Sequence, residues 1–209
     1  MIKPPTPTLP TRASAGLSVL LCAAALLGAC AGGSVPPVTW VRLPAEAPGA
    51  AAAQAPMPKA VWQLMAPLQL PGHLDRDALL VPQGAAGLQG LGGARWAEPL
   101  RDAVPRLLRQ DLERELGSPV WIAPLPPGVS PTRQLRVEFG AFDVAADGRG
   151  VVLQARWSLA DPKGSASPAV FDAAFSTPAT GPGASELALA HRQALAQLAR
   201  RIADSAQPR

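Results

Sequence analysis

The stretch Val151-Val152-Leu153-Gln154-Ala155-Arg156-Trp157-Ser158-Leu159 decides the fold. Val151, Leu153, Ala155, Trp157 and Leu159 take every second place, with Gln154, Arg156 and Ser158 between them. A period of two sends the first set to one face of a strand, so this is a half-buried strand with Trp157 in the core. Upstream, Leu135, Val137 and Phe139 alternate with Arg136 and Glu138, and after Gly140 the phase slips to Phe142 and Val144. A bulge there restores the inward face. Asp147-Gly148 joins the two strands and is the strongest hairpin signal in the chain. Downstream, Asp161-Pro162-Lys163-Gly164 turns the chain into Phe171, Ala173 and Phe175. Three neighbouring strands joined by short turns make an antiparallel meander.

On either side of the meander the period changes. Leu100, Val104, Leu107, Leu108, Leu112 and Leu116 recur at three or four, with Arg101, Arg106, Arg109, Gln110, Glu113 and Arg114 on the remaining faces. This predicts an amphipathic helix over 99–116 that Gly117 ends. Pro99 suits its first turn; Pro105 implies either a kink or a regular helix starting near Asp102. A second amphipathic helix covers about 185–205, with Ser185 as N-cap. Its apolar stripe is Leu187, His191, Leu195, Leu198 and Ile202, and Arg192, Gln193, Gln197, Arg200 and Arg201 lie off it. Further strands are expected over 61–70, 78–81 and 119–123, with a loose Gly-rich hairpin at Gly84 to Gly93 and a short strand at Trp40 to Leu43. Strands and helices in no strictly alternating order indicate a single α/β domain over 61–206, with a mixed, mostly antiparallel sheet and two main helices.

The first 60 residues read differently. Lys3 and Arg12 precede an uncharged apolar run from Ala15 to Leu27, which is too short to span a bilayer but suits a signal peptide. Leu27-Gly28-Ala29-Cys30 follows and resembles a bacterial lipobox, with cleavage between Ala29 and Cys30. Bulky Leu20 and Leu21 make Cys22 a poor rival. The likeness implies an S-diacylglyceryl group on Cys30 and an N-palmitoyl chain on its new amino group; two or more chains anchor stably where one does not. Residues 1–29 are then signal peptide. Residues 30–60, rich in Ala, Pro and Gly, read as a lipidated disordered tether. Ala31 stands where an Asp favours inner-membrane retention in similar lipoproteins, which points to the outer membrane of a Gram-negative envelope.

Composition narrows the function. Removing residues 1–29 takes away Lys3 and Arg12, and 17 basic residues then face 15 acidic ones, a net charge of +2 that makes no case for nucleic acid. Once Cys22 is lost and Cys30 acylated, no disulfide or thiol chemistry remains. No phosphate loop, dinucleotide glycine pattern, nucleophile elbow or zinc signature occurs, so neither catalysis nor a metal is expected. No cofactor is expected beyond the covalent lipid. His191 reads as a packed histidine, and His73 as part of a turn with local Asp75-Arg76 pairing. Glu98 reads as a carboxylate facing a helix start.

The ordered pieces resemble the family of ABC-type transport auxiliary lipoproteins, the PqiC-like proteins. The resemblance rests on Leu70-Pro71-Gly72-His73-Leu74-Asp75-Arg76, Arg95-Trp96-Ala97-Glu98-Pro99-Leu100, Leu153 to Leu159 and the closing helix at Ala194 to Ala203, and runs from about Val61 to Ala206. His73 departs from the family's tyrosine, and His191 stands where an apolar residue is more usual. The resemblance implies a sandwich like that of anticodon-binding domains, without their nucleic-acid function. It also implies a non-enzymatic lipoprotein at the periplasmic face of the outer membrane, serving a lipid-transporting ABC system. Its partners would be a periplasmic MCE-domain protein and the inner-membrane transporter, with Asp75, Arg76, Trp96 and Glu98 as partner contacts; a homo-oligomer is compatible. An assembly lipoprotein, such as a pilotin or barrel-biogenesis partner, is the competing reading, and an envelope enzyme a third.

Overall fold

The computed structural model describes residues 37–49 and 60–207; Ala29, Cys30 and the signal lie outside them. In chain order the elements are β1 (Thr39–Val41), β2 (Trp62–Leu64), a 3-10 turn (Gly72–Leu74), β3 (Ala78–Gln83) and β4 (Gly87–Trp96). There follow α1 (Leu100–Leu116), β5 (Val120–Ile122), β6 (Arg133–Val144), β7 (Gly150–Ala160), β8 (Ala169–Pro178) and α2 (Ala184–Ala206). The mixed α/β class and its two helices are as expected, with the strands divided between two sheets. One has the order β5-β2-β6-β7-β8, the other β1-β4-β3.

The meander forms as its alternation requires. Val137 faces Trp157 and Phe142 faces Leu153, with the register shift between Phe139 and Ala141 that the phase slip predicts. β8 continues the antiparallel pairing from Gly150–Pro178 to Leu159–Ala169. On the inner face Leu135, Val137, Phe142, Val151, Leu153 and Trp157 are all buried. That face is covered by α2, whose small residues Ala188, Ala194, Ala199 and Ala203 are also buried and allow close approach. α1 packs on α2 and β5. Such burial contributes about 25 cal/mol per Å² of apolar surface, and it sets the inward-facing phase of every strand.

Several local expectations change. Between Val61 and Leu70 only Trp62–Leu64 pairs as a strand, parallel to both β5 and β6, followed by one isolated bridge from Gln69 to Glu138. Pro67 and Pro71 lack the N–H a longer ladder would use. The Gly-rich stretch forms the expected hairpin, turning at 84–86, but it is not slack: Gly87 to Gly93 lie within β4, and the positive φ of Gly92 (49°) and Gly93 (77°) accompany a register shift against β3. α1 begins at Leu100 despite Pro105, whose missing N–H would have met the carbonyl of Arg101, an exposed residue of the first turn. Gly117 closes it with φ 58°. Ser185 is not the N-cap of α2. Gly183 holds that place, and the Glu186 carboxylate folds into the space that a Cβ on Gly183 would fill.

The largest correction concerns the tether. Residues 38–49 belong to the folded body: β1 pairs in parallel with β4, and Val41, Leu43 and Ala47 are buried. Composition hid this because Ala and Pro read as linker, whereas burial depends on which neighbour meets them.

Candidate functional site

Three aromatic rings meet behind the entry to α1. His191 lies edge-on to Trp96 at 5.4 Å between centroids and to Phe142 at 4.9 Å. Its Nδ1–H donates to the Leu187 carbonyl at 2.8 Å, which fixes the neutral tautomer. Burial pushes its pKa down to about 4 against smaller opposing effects of the Leu187 hydrogen bond and the Asp143 charge. The space among Leu74, Leu79, Trp96, Leu100, Phe142 and His191 is about 10 Å³, too small for a ligand. This is core, as expected of His191.

Over that core lies a polar rim. His73 Nε2 meets Asp143 Oδ1 at 2.5 Å, bridging the 3-10 turn to β6. Asp75 pairs with Arg101, Asp77 with Arg95 at 2.6 Å, and Glu98 with Arg106 at 2.6 Å. The expected local Asp75-Arg76 pairing therefore does not form. Asp75 reaches α1, His73 reaches β6, and Arg76 stays exposed without an ion pair among the described residues. The structure thus gathers Asp75, Arg76 and Glu98 around the start of α1. Trp96 does not join them on the surface. It is only 5% exposed, because the strand alternation that makes Arg95 half-exposed turns its neighbour inward. Trp96 supports the rim from below and offers no surface to a partner.

A second constellation was not foreseen. Arg192, expected off the apolar stripe, is fully buried and forms a bidentate pair with Asp111 at 2.5 and 2.7 Å. Its Nε and Nη2 also donate to the carbonyls of Pro44 and Ala45 at 2.8 and 2.9 Å. Arg114 adds a contact to Asp111 at 2.5 Å and lies 3.9 Å from Glu115, so two cations and two anions balance. The sequence carried a signal for the burial of these side chains, though not for their pairing. Asp111 sits four after Leu107 and three after Leu108, and Arg192 sits three before Leu195, so each lies inside a buried helical arc. The network locks the N-terminal strap at 44–45 onto both helices. Elsewhere, an open groove of about 380 Å³ crosses the outer face of the larger sheet, lined by Glu138, Gln154, Arg156 and Asp172 over Gly140 and Ala174. Among the described residues no group of three His, Cys, Asp or Glu side chains is placed to hold a metal, and no helix is long and apolar enough to cross a membrane.

The fold class is shared with solved structures. An uncharacterized protein superposes with a TM-score of 0.63 at 19% identity, covering 81% of this chain and 99% of its own. Protein XCC0632 from Xanthomonas campestris does so with a TM-score of 0.59 at 18% identity, covering 79% and 93%. At those identities the likeness establishes the mixed α/β domain. The chain belongs to the family of ABC-type transport auxiliary lipoprotein components, whose model matches residues 42–203. That match begins within the strap, in agreement with a folded body that starts before Val61. No curated protein sequence matches the chain.

Proposed function

We propose that this protein is the outer-membrane-anchored docking component of an ABC-type lipid-transport system containing an MCE protein. Cys30 would carry the S-diacylglyceryl and N-palmitoyl groups after cleavage behind Ala29. The family's role as a transport auxiliary lipoprotein supports the transport assignment. The observation that carries the docking role is the strap. Residues 44–45, only fourteen or so positions beyond Cys30, are tied by Arg192 and Asp111 to both helices. A body held that way passes restraint from its anchor to its surface instead of swinging on a long leash.

Asp75, Arg76 and Glu98, around the start of α1, are the groups we assign to the periplasmic partner. Asp75 and Glu98 are half-exposed and paired with Arg101 and Arg106, Arg76 is exposed beside them, and such surface charges steer encounter more than they add affinity. Energy for transport would come from the inner-membrane ATPase, since this chain presents no phosphate-binding loop.

The test is capture of the lipidated full-length protein by the purified MCE protein and its transporter. Binding that is lost on combining Asp75→Lys with Glu98→Lys is the expected result. No detectable binding at micromolar concentration overturns the proposal, and capture by a secretin or barrel subunit instead would favour the assembly reading.

A further inference from the structure

The strand that follows the candidate lipidation site carries a pattern the core does not explain. Val41 and Leu43 are buried, whereas Val38 is 48% and Trp40 61% exposed, and Arg42 is exposed between the two buried residues. Trp40 and Arg42 therefore face away from the core in alternation with Val41 and Leu43, and Val38 and Thr39 are exposed just before them. Trp40 lies beside Arg95 of β4, whose charge is taken by Asp77 at 2.6 Å. Arg42 makes no ion pair among the described residues, so the stripe holds one free cation. The exposed aliphatic residue and tryptophan leave apolar surface in water beside a cation without an ion pair. They suit the layer where acyl chains meet anionic headgroups, in which tryptophan sits with its ring at the boundary and arginine extends to phosphate.

Covalent reach selects the occupant. Val38 stands eight positions after Cys30, and a chain of that length spans at most about 29 Å, however it runs. A Cys30 held at a bilayer surface by its acyl chains would thus keep the stripe within one bilayer thickness of that surface. The stripe is itself fixed to the body through β1–β4 pairing and the strap carbonyls. We infer that Val38, Trp40 and Arg42 form a second membrane contact, seated in the headgroup layer of the leaflet that holds the lipid anchor. The acyl chains supply the affinity and the stripe supplies orientation, turning one face of the domain toward the membrane. This rests on the lipidation of Cys30 in the proposed function.

The lipidated full-length protein in vesicles of phosphatidylethanolamine and phosphatidylglycerol with brominated acyl chains gives a direct test. Bromine quenches tryptophan only at short range, and Trp62, Trp96 and Trp157 are buried at 3, 5 and 2% exposure. Wild-type emission should be quenched, Trp40→Phe should lose that quenching, and Trp121→Phe should keep it. Protein that floats with the vesicles but shows no quenching, as when a second copy covers Trp40, overturns the inference and leaves the anchor standing. Quenching that persists in Trp40→Phe overturns it too. Protein that fails to float overturns the anchor and this contact together.

Discussion

Asp111 and Arg192, 81 residues apart, meet as a bidentate pair in which neither side chain is exposed to solvent. Each ion loses its hydration on folding, and the mutual contacts, Arg114 and the two strap carbonyls offset that loss. Removing one partner leaves the other charge buried. Arg192→Met and Asp111→Ala should each cost about 3–5 kcal/mol in urea denaturation. Asp111→Leu combined with Arg192→Met should cost clearly less than the sum of the two. Additive costs would show that the two charges are not coupled. Arg192→Met should also expose the strap to protease near Glu46 while the meander stays resistant.

His191 gives the stability a definite pH dependence. Its folded pKa of about 4 lies below the ordinary histidine value of 6.5, so between those limits the unfolded chain binds the additional proton. Stability should therefore fall as pH drops from 6.5 toward about 4, by up to about 3 kcal/mol from this residue. His191→Phe keeps an aromatic ring against Trp96 and Phe142 and should flatten that part of the profile. An unchanged slope in denaturation midpoints across the window would place the titration elsewhere.

Gly150 opens β7 where a Cβ would lie 2.5 Å from the Thr177 carbonyl oxygen and 3.2 Å from the Pro178 Cα. Both obstacles are backbone and cannot swing aside. Gly150→Ala should cost about 1–3 kcal/mol, the usual scale of overpacking. Gly140→Ala, whose nearest neighbour is the Gln154 Cβ at 3.7 Å, should be tolerated in the same melting experiment.

The rim over α1 separates binding from stability. Asp75→Ala and Glu98→Ala remove half-exposed pairs with Arg101 and Arg106 and should change stability by no more than about 1 kcal/mol while weakening partner capture. Trp96→Ala removes a buried ring that faces His191 and should cost about 3–5 kcal/mol. Equal losses of stability in all three variants would mean that the rim is structural as well.

Legibility followed the physics of each element. β6 and β7 were readable down to the bulge after Gly140, because alternation and burial report the same inward face. Trp157 and His191 were readable as core, since each sits at the right place in its own period. Trp96 was misread as surface because Arg95, Glu98 and Pro99 beside it look like a polar entry loop. Arg192 was misread because a charge on an amphipathic helix is normally solvated. Its burial needs an anion from α1 and carbonyls from the strap, none of which its own neighbourhood contains.

By itself the chain determined what short-range chemistry can dictate: strand phase, hairpin turns and both helices. Only the tertiary structure decided which strands share a sheet, that the strap joins the body, and that Asp111 and Arg192 find each other. Periodicity is a property of neighbours along the chain, so it survives without the fold. Pairing across 81 residues depends on two helices packing at one separation and phase, which no local pattern encodes.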